Sequence, residues 1–280
     1  MVIKELLKQV ITELRECGND NPVFEAHAIF RHVLKLSATD LVLMHEKKVT
    51  KRQEEKILGF CRRRTKGEPL QYILGTQEFM SLEFKVTPNV LIPRADTETL
   101  VEYVIDRFRD KGFSLLDIGT GSGCIPLSVA AYCPNAYVRG VDISPEAEKI
   151  AKENCKKLAL SHRADFSLCD IMSEIPKGKY DVITSNPPYI ESHIIPTLQT
   201  EVRDFEPHLA LDGGTDGLMF YRRICALAPS LLNKGGMLIF EIGYDQGSAV
   251  TKLMENNFDD IKIIKDIPGN DRVVAGTIKK

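Results

Sequence analysis

The chain has no run approaching eighteen apolar residues, so nothing in it reads as a transmembrane helix and no membrane partner is expected. It also lacks any Cys-x-x-Cys pair, and its seven cysteines (Cys17, Cys61, Cys124, Cys133, Cys155, Cys169 and Cys225) are odd in number. Neither a disulfide framework nor a zinc site is indicated, and no metal is expected. The cysteines read instead as small buried hydrophobes in a reducing compartment. Met1-Val2-Ile3-Lys4-Glu5 is amphipathic, without the shape of a signal peptide, and the expected location is cytoplasmic. A strong excess of one charge is missing too: the net charge is −2 and the isoelectric point is near 6.3. That argues against a nucleic-acid scaffold, whose affinity rests on neutralising phosphates, so no direct nucleic-acid binding is expected. There is no internal repeat and no low-complexity segment. What remains, at 280 residues, is enough chain for two ordinary domains.

The first of these is helical. Val2, Ile3, Leu6, Leu7, Val10, Ile11 and Leu14 recur at helical spacing, Gly18 and Asn19 stop that helix, and Pro22 opens another through Val33. Thr50 to Arg64 extends the bundle and ends in Arg62-Arg63-Arg64, either a solvated end matched to the helix dipole or a partner contact. Around Phe79, Leu82, Phe84 and Val86 the period shortens to that of a hairpin. The expected division is a helical domain over 1–75, a β-hairpin linker over 76–90 and a larger domain over 91–280.

After Pro93, a helix from Thr97 to Arg109 is followed by alternating strands and helices. The expected strands are Ser114 to Ile118, Tyr137 to Asp142, Ala164 to Leu168, Tyr180 to Ser185 and Gly236 to Ile242. Ser144-Pro145 opens a helix to Leu158, Asp216 is expected to cap one reaching Leu232, and Phe258 to Ile264 with Arg272 to Thr277 make a terminal antiparallel pair. The fold class is α/β, a doubly wound Rossmann-like domain behind a small helical bundle.

Two segments at carboxyl ends of expected strands carry chemistry. Asn186-Pro187-Pro188-Tyr189 follows the strand Tyr180 to Ser185. Its prolines remove two N–H groups and hold φ near about −65°, so backbone carbonyls can face a ligand. A rigid acceptor turn beside a flat ring suits a planar NH2 group. Asp117-Ile118-Gly119-Thr120-Gly121-Ser122-Gly123 reads as strand, glycine loop and helix start, and Val141-Asp142 ends the next strand with a carboxylate. That spacing places an acid on ribose hydroxyls. Cys124 stands where a dinucleotide pattern wants Gly or Ala, and Asp117 suits a cationic ligand better than a pyrophosphate. The expected cofactor is therefore S-adenosylmethionine rather than NAD.

With these motifs the chain resembles the HemK/PrmC family, glutamine N5-methyltransferases of peptide chain release factors. The likeness extends through Glu68-Pro69-Leu70-Gln71-Tyr72-Ile73-Leu74-Gly75, Leu91-Ile92-Pro93-Arg94-Ala95-Asp96-Thr97-Glu98, Phe205-Glu206-Pro207, Asp216-Gly217-Leu218, Glu241-Ile242-Gly243 and Gly269-Asn270-Asp271-Arg272-Val273-Val274. The resemblance implies that the helical domain helps recognise the release factor. It implies that Gly119, Thr120, Gly121, Ser122 and Gly123 line the methionine part of the cofactor, that Asp142 binds its ribose, and that Asp170 lies near adenine. Ile171 departs from relatives with an aromatic residue there, which removes stacking on the base. Asn186, also counted among the cofactor contacts, and Pro187 would accept the two N–H bonds of the substrate glutamine, Pro188 would stiffen the turn and Tyr189 would stack on the amide plane.

Other groups carry less. His27, His32 and His45 have no metal-ligand companions, and His193 and His208 have no evident partner. Arg94, Asp96 and Glu98 suit either an ion pair between domains or the mouth of the site, while Glu206 and Glu241 read as scaffolding. The competing functions are a nucleic-acid amine methyltransferase acting on an adenine-N6 type group, a binding module without turnover, and an NAD-dependent oxidoreductase.

Overall fold

The computed structural model describes residues 1–279, in two units: Met1–Gly75 with Thr200–Phe205, and Thr76–Gln199 with Glu206–Lys280. In the first unit the amphipathic pattern becomes α1 (Ile3–Glu16), α2 (Pro22–Leu34), α3 (Ala38–Leu43), α4 (Lys51–Arg64) and α5 (Leu70–Leu74). Ile3, Leu6, Val10 and Leu14 stand three to four residues apart on α1 and all are buried, facing Ala26, Ile29 and Phe30 of α2 and Ile57 and Cys61 of α4. Thr50 starts α4 through a reciprocal cap: its Oγ accepts the Gln53 N–H at 3.3 Å and its own N–H donates to Gln53 Oε1 at 2.9 Å.

At the end of α4, Arg62 and Arg63 are exposed, as the solvated reading expects, and Arg64 alone departs from it. Arg64 is buried and pairs with Glu25 of α2 and with Glu201, and Arg63 pairs with Glu68. Residues 200–205, expected in the larger domain, thus pack into the helical unit. A charge taken out of water requires such partners, and losing one of them strands the other.

The second unit begins with the ribbon β1 (Thr76–Phe79) and β2 (Leu82–Lys85), antiparallel, with Phe79 and Phe84 fully buried and edge to face at 6.1 Å. The hairpin, expected as a linker, packs wholly within this unit. It is held by the Lys85 N–H, which donates to Asn154 Oδ1 at 2.7 Å.

Next come α6 (Ala95–Phe108), β3 (Phe113–Ile118), α7 (Cys124–Tyr132), β4 (Ala136–Asp142), α8 (Pro145–Lys157), β5 (Ala164–Leu168), β6 (Tyr180–Ser185), the short α9 (Thr200–Phe205) of the first unit, α10 (Met219–Leu231), β7 (Leu232–Glu241), α11 (Gly247–Met254), β8 (Phe258–Lys265) and β9 (Asp271–Ile278). The seven-stranded sheet has the order β5-β4-β3-β6-β7-β9-β8, parallel from β5 to β7 and antiparallel at β9 and β8. Both faces are covered, which is why β3 is buried at nearly every position without alternation: Leu115 joins the core under α6, α7 and α8, and Leu116 joins the one under α10 and α11.

Asp216 does not cap α10. Its Oδ1 accepts the Leu218 N–H at 3.2 Å and its carboxylate pairs with Arg222, so the turn ahead of the helix is what it stabilises. Among the described residues no helix is long and apolar enough to cross a membrane. Strand order reverses between β3 and β6, with Ile118 beside both Val141 and Ser185, and there the carboxyl ends part to leave a crevice.

Candidate active site

The loop leaving β3 is built for close approach. Gly119, Gly121 and Gly123 have φ of +74°, +54° and +79°, a region that side chains with a Cβ rarely adopt. The N–H groups of Gly119 and Thr120 donate to the Val141 carbonyl at 2.9 and 3.0 Å, tying the loop to β4. Asp142 completes the tie, Oδ2 accepting the Gly121 N–H at 2.8 Å and Oδ1 the Ser144 N–H at 3.0 Å. Desolvation raises its pKa while these N–H groups pull it back.

A cavity of about 200 Å³ opens at this point. Its wall contains Gly119, Gly121, Asp142, Asp170, Asn186, Pro187 and Pro188, so the crevice brings together both motifs found in the sequence. Thr120, Ser122 and Gly123 are not on the wall. Thr120 and Ser122 are buried, with the Ser122 carbonyl accepting Asn154 Nδ2–H at 2.9 Å, and a Cβ on Gly123 would meet Leu127, Ala151 and Phe166 at 3.1 to 3.3 Å. These three shape the loop from behind.

Asp170 folds its carboxylate onto its own turn: Oδ1 accepts the Met172 N–H at 2.9 Å and Oδ2 the Ser173 hydroxyl at 2.8 Å. Ile171 follows as buried apolar wall. Sequence reasoning missed Asn89, Val90 and Leu91 after the hairpin, and Phe220 and Ile224 of α10, all of which line the cavity. Phe220 and Ile224 stand four residues apart on one helix face, a signal that was available; Leu91 opens the motif Leu91 to Glu98 without a cavity role having been read from it, and Asn89 and Val90 carry no pattern of their own.

In the acceptor turn, Asn186 Nδ2–H donates to Thr97 Oγ at 3.3 Å. Among the described residues no hydrogen bond reaches the Pro187 carbonyl. Thr97 is buried on the first turn of α6, and Glu241 is buried at the end of β7. Burial pushes Glu241 up to about 7, while Thr97 and Arg272 draw it down. Tyr189 does not line the cavity. Its carbonyl accepts Gln246 Nε2–H at 3.1 Å, its ring packs against the core below α10, and burial pushes its phenol well above the usual range.

The charged residues after the hairpin pair within this unit: Arg94 with Glu206, Asp96 with Arg272 at 3.2 Å, and Glu98 with the Met80 N–H at 2.6 Å. His193 sits at the surface beside Glu191.

The cavity can be tested for the nucleoside cofactor expected from the sequence. Among the described residues no Lys or Arg lies on its wall, so no side-chain cation there neutralises a pyrophosphate. Behind the glycine loop, Asp117 is wholly buried; Oδ1 accepts the Thr184 hydroxyl at 2.8 Å, while Oδ2 has no hydrogen-bond partner among the described residues. Burial pushes this carboxyl up to about 7. Asp117 stands behind the loop and off the cavity wall, while each Asp142 oxygen, on the wall, keeps a lone pair for a ribose hydroxyl. The residues fit S-adenosylmethionine, whose sulfur and amine are cationic and which has no phosphate.

Comparison with known proteins agrees. Residues 5–75 match the PrmC N-terminal domain and 95–214 the methyltransferase small domain. A release factor glutamine methyltransferase of Moorella thermoacetica is 40% identical over 275 residues, 97% of this chain and 97% of its own. One of Geobacter sulfurreducens is 42% identical over 279 residues, 99% of this chain and 96% of its own. A methyltransferase crystal structure from Pyrococcus furiosus superposes with a TM-score of 0.53 at 18% identity, covering 82% of this chain and 99% of that one, which shows a shared fold. With full-length relatives at this level and a cavity that fits the methyl donor S-adenosylmethionine, the chain belongs to the release factor glutamine methyltransferase family.

Proposed function

We propose that this protein methylates the side-chain nitrogen of the glutamine in the Gly-Gly-Gln motif of peptide chain release factors. One observation carries the reading: Asn186 and Pro187, whose carbonyl accepts no hydrogen bond among the described residues, lie on the wall that also carries Asp142, Gly119 and Gly121. Two acceptors suit the two N–H bonds of a primary amide. When bound, S-adenosylmethionine supplies a methyl group on a cationic sulfur. Gly119, Gly121 and Asp142 would hold it, with Asp170, Ile171 and Phe220 around the base.

The chain's own contribution is orientation. An amide nitrogen is a weak nucleophile because its lone pair is delocalised into the carbonyl. Acceptors aimed at both of its protons hold it in one attitude and favour the positive charge that builds on it. No general base is required, since the surplus proton can leave once the nitrogen has become cationic. Pro188 stiffens the turn, and Tyr189 supports it from the core side through its carbonyl and its packed ring. The helical unit, residues 1–75, would recognise the release factor; Phe24, Val42 and Leu43 on its surface are 70%, 64% and 73% exposed, an apolar set available to a protein partner.

The test is mass spectrometry of an unmodified release factor incubated with enzyme and S-adenosylmethionine. About 14 Da on the Gly-Gly-Gln glutamine is the expected result. Methylation of nucleic acid, with the release factor unchanged, would favour the amine-methylating alternative.

A further inference from the structure

Two motifs of the sequence, Asp216-Gly217-Leu218 and Glu241-Ile242-Gly243, put no residue on the cavity wall. They meet instead behind the acceptor turn. Pro187 and Pro188 have no N–H, so the middle of that turn offers carbonyls alone for tying it down. The ties fall on the next two residues: the Tyr189 carbonyl accepts Gln246 Nε2–H at 3.1 Å, and the Ile190 carbonyl accepts the Gly213 N–H at 2.8 Å.

Gln246 joins both motifs to the turn. Its Nε2 also donates to the Gly217 carbonyl at 3.4 Å, and its Oε1 accepts the Gly243 N–H at 3.0 Å. A backbone N–H can only donate and a backbone carbonyl can only accept, so these partners fix which way the amide faces. The backbone of Gln246 is fixed as well, its N–H donating to the Gly243 carbonyl at 2.9 Å and its carbonyl accepting the Val250 N–H at 3.0 Å at the start of α11. Glycine permits the close approach. A Cβ on Gly217, where φ is +67°, would meet the Tyr189 carbonyl oxygen and, at 2.7 Å, Gln246 Nε2. One on Gly213 would meet the Pro188 carbonyl oxygen and Tyr189 Cα, both at 2.8 Å.

We propose that Gln246, seated between Gly213 and Gly217, is a positioning residue for methyl transfer: by fixing the peptide that follows Tyr189 it sets the direction of the Pro187 carbonyl and of the Asn186 side chain. This rests on the glutamine-methylating reading of the same site. Gln246 is off the cavity wall and acts only through the turn. The cofactor side is held separately, by the bonds of Gly119, Thr120 and Gly121 to Val141 and Asp142, so the two halves of the site can be disturbed one at a time.

The experiment compares wild type with Gln246→Glu, Gly213→Ala and a control, Val104→Ala, which empties a buried position on α6 in the other core. Each is assayed for kcat and KM with an unmodified release factor, for cofactor affinity by calorimetry, and for Tm. Gln246→Glu keeps the shape and the acceptor for Gly243 and sets an oxygen against the Tyr189 carbonyl; kcat is expected to fall about tenfold or more, with KM and cofactor affinity kept within about twofold. Gly213→Ala presses the turn from its other side, against backbone that cannot swing away, and is expected to give the same split. Val104→Ala is expected to lower Tm and leave kcat within about twofold. Losses of kcat in Gln246→Glu and Gly213→Ala no larger than in Val104→Ala, or matched by equal losses of cofactor affinity, would overturn the positioning role alone. A wild-type enzyme that binds cofactor and leaves the release factor unmodified would overturn the reading of the site, and the positioning role with it.

Discussion

Replacing Gly140 by Ala tests how the glycine loop is held. Gly140 lies in β4 beside Asp117 of β3, and its backbone conformation is ordinary, so strain in φ plays no part. Space decides the outcome. A Cβ there would sit 2.6 Å from Thr120 Oγ and 2.7 Å from both Cδ1 and Cε1 of Phe166, well inside contact distance. Neither neighbour yields readily: Phe166 is 3% exposed and already abuts the Gly123 side of the loop, and Thr120 is 5% exposed with its backbone bonded to Val141.

Overpacking of this kind costs about 1–3 kcal/mol. In a unit of this size that is a fall of roughly 2–10 °C in Tm, measurable by scanning calorimetry. Because the atom displaced belongs to the loop, cofactor affinity is expected to fall as well, about tenfold for a disturbance near 1.4 kcal/mol. Thr120→Ala removes the 2.6 Å clash, so the double variant is expected to recover part of both losses; a positive coupling in the cycle is the signature. Gly140→Ala with wild-type Tm and wild-type cofactor affinity would refute the picture of a loop pinned between β4 and Phe166.

Asp142→Asn keeps an acceptor for the Gly121 N–H and loses the charge, so cofactor affinity is expected to drop about tenfold or more by calorimetry, with little change in fold by circular dichroism. Asn186→Ala removes one acceptor from the turn and leaves Asp142 and the glycine loop in place; turnover is expected to fall about a hundredfold with cofactor affinity nearly intact, and a parallel loss of affinity would refute the division of labour. Asp117 supplies a pH test. Its pKa rises from 3.8 unfolded to about 7 folded, so between these values the native state holds more protons than the unfolded chain and stability falls as pH rises. Relative to Asp117→Asn, the wild type without cofactor is expected to lose a few kcal/mol between about pH 4 and pH 7 in urea unfolding; a difference that stays flat, or rises with pH, would refute the buried-acid assignment.

The limits of sequence reading show at particular residues. Alternating φ-positive glycines, an acid one strand later and a Pro-Pro turn after a third strand are local patterns, so the loop, Asp142 and the acceptor turn were legible without coordinates, as was the doubly wound sheet through its alternating apolar segments. The helical bundle was legible because α1 repeats its apolar residues every three to four positions. Short α3 and α5 were not, having too few residues to show a period, and the capping role expected of Asp216 failed because its side chain found Arg222 instead.

The sequence by itself determined which chemical groups this protein has and which strand ends carry them, since those depend on residue type and nearest neighbours. Only the tertiary structure decided that Arg64 is buried with Glu25 and Glu201, that Tyr189 supports the turn from the core, and that Phe220 joins the cavity wall. It alone set Thr97 behind Asn186. The Arg64 pairs depend on how distant helices pack, and the placements around the turn on which strands become neighbours when the sheet reverses between β3 and β6; a pairing across more than sixty residues leaves no periodic trace in the chain.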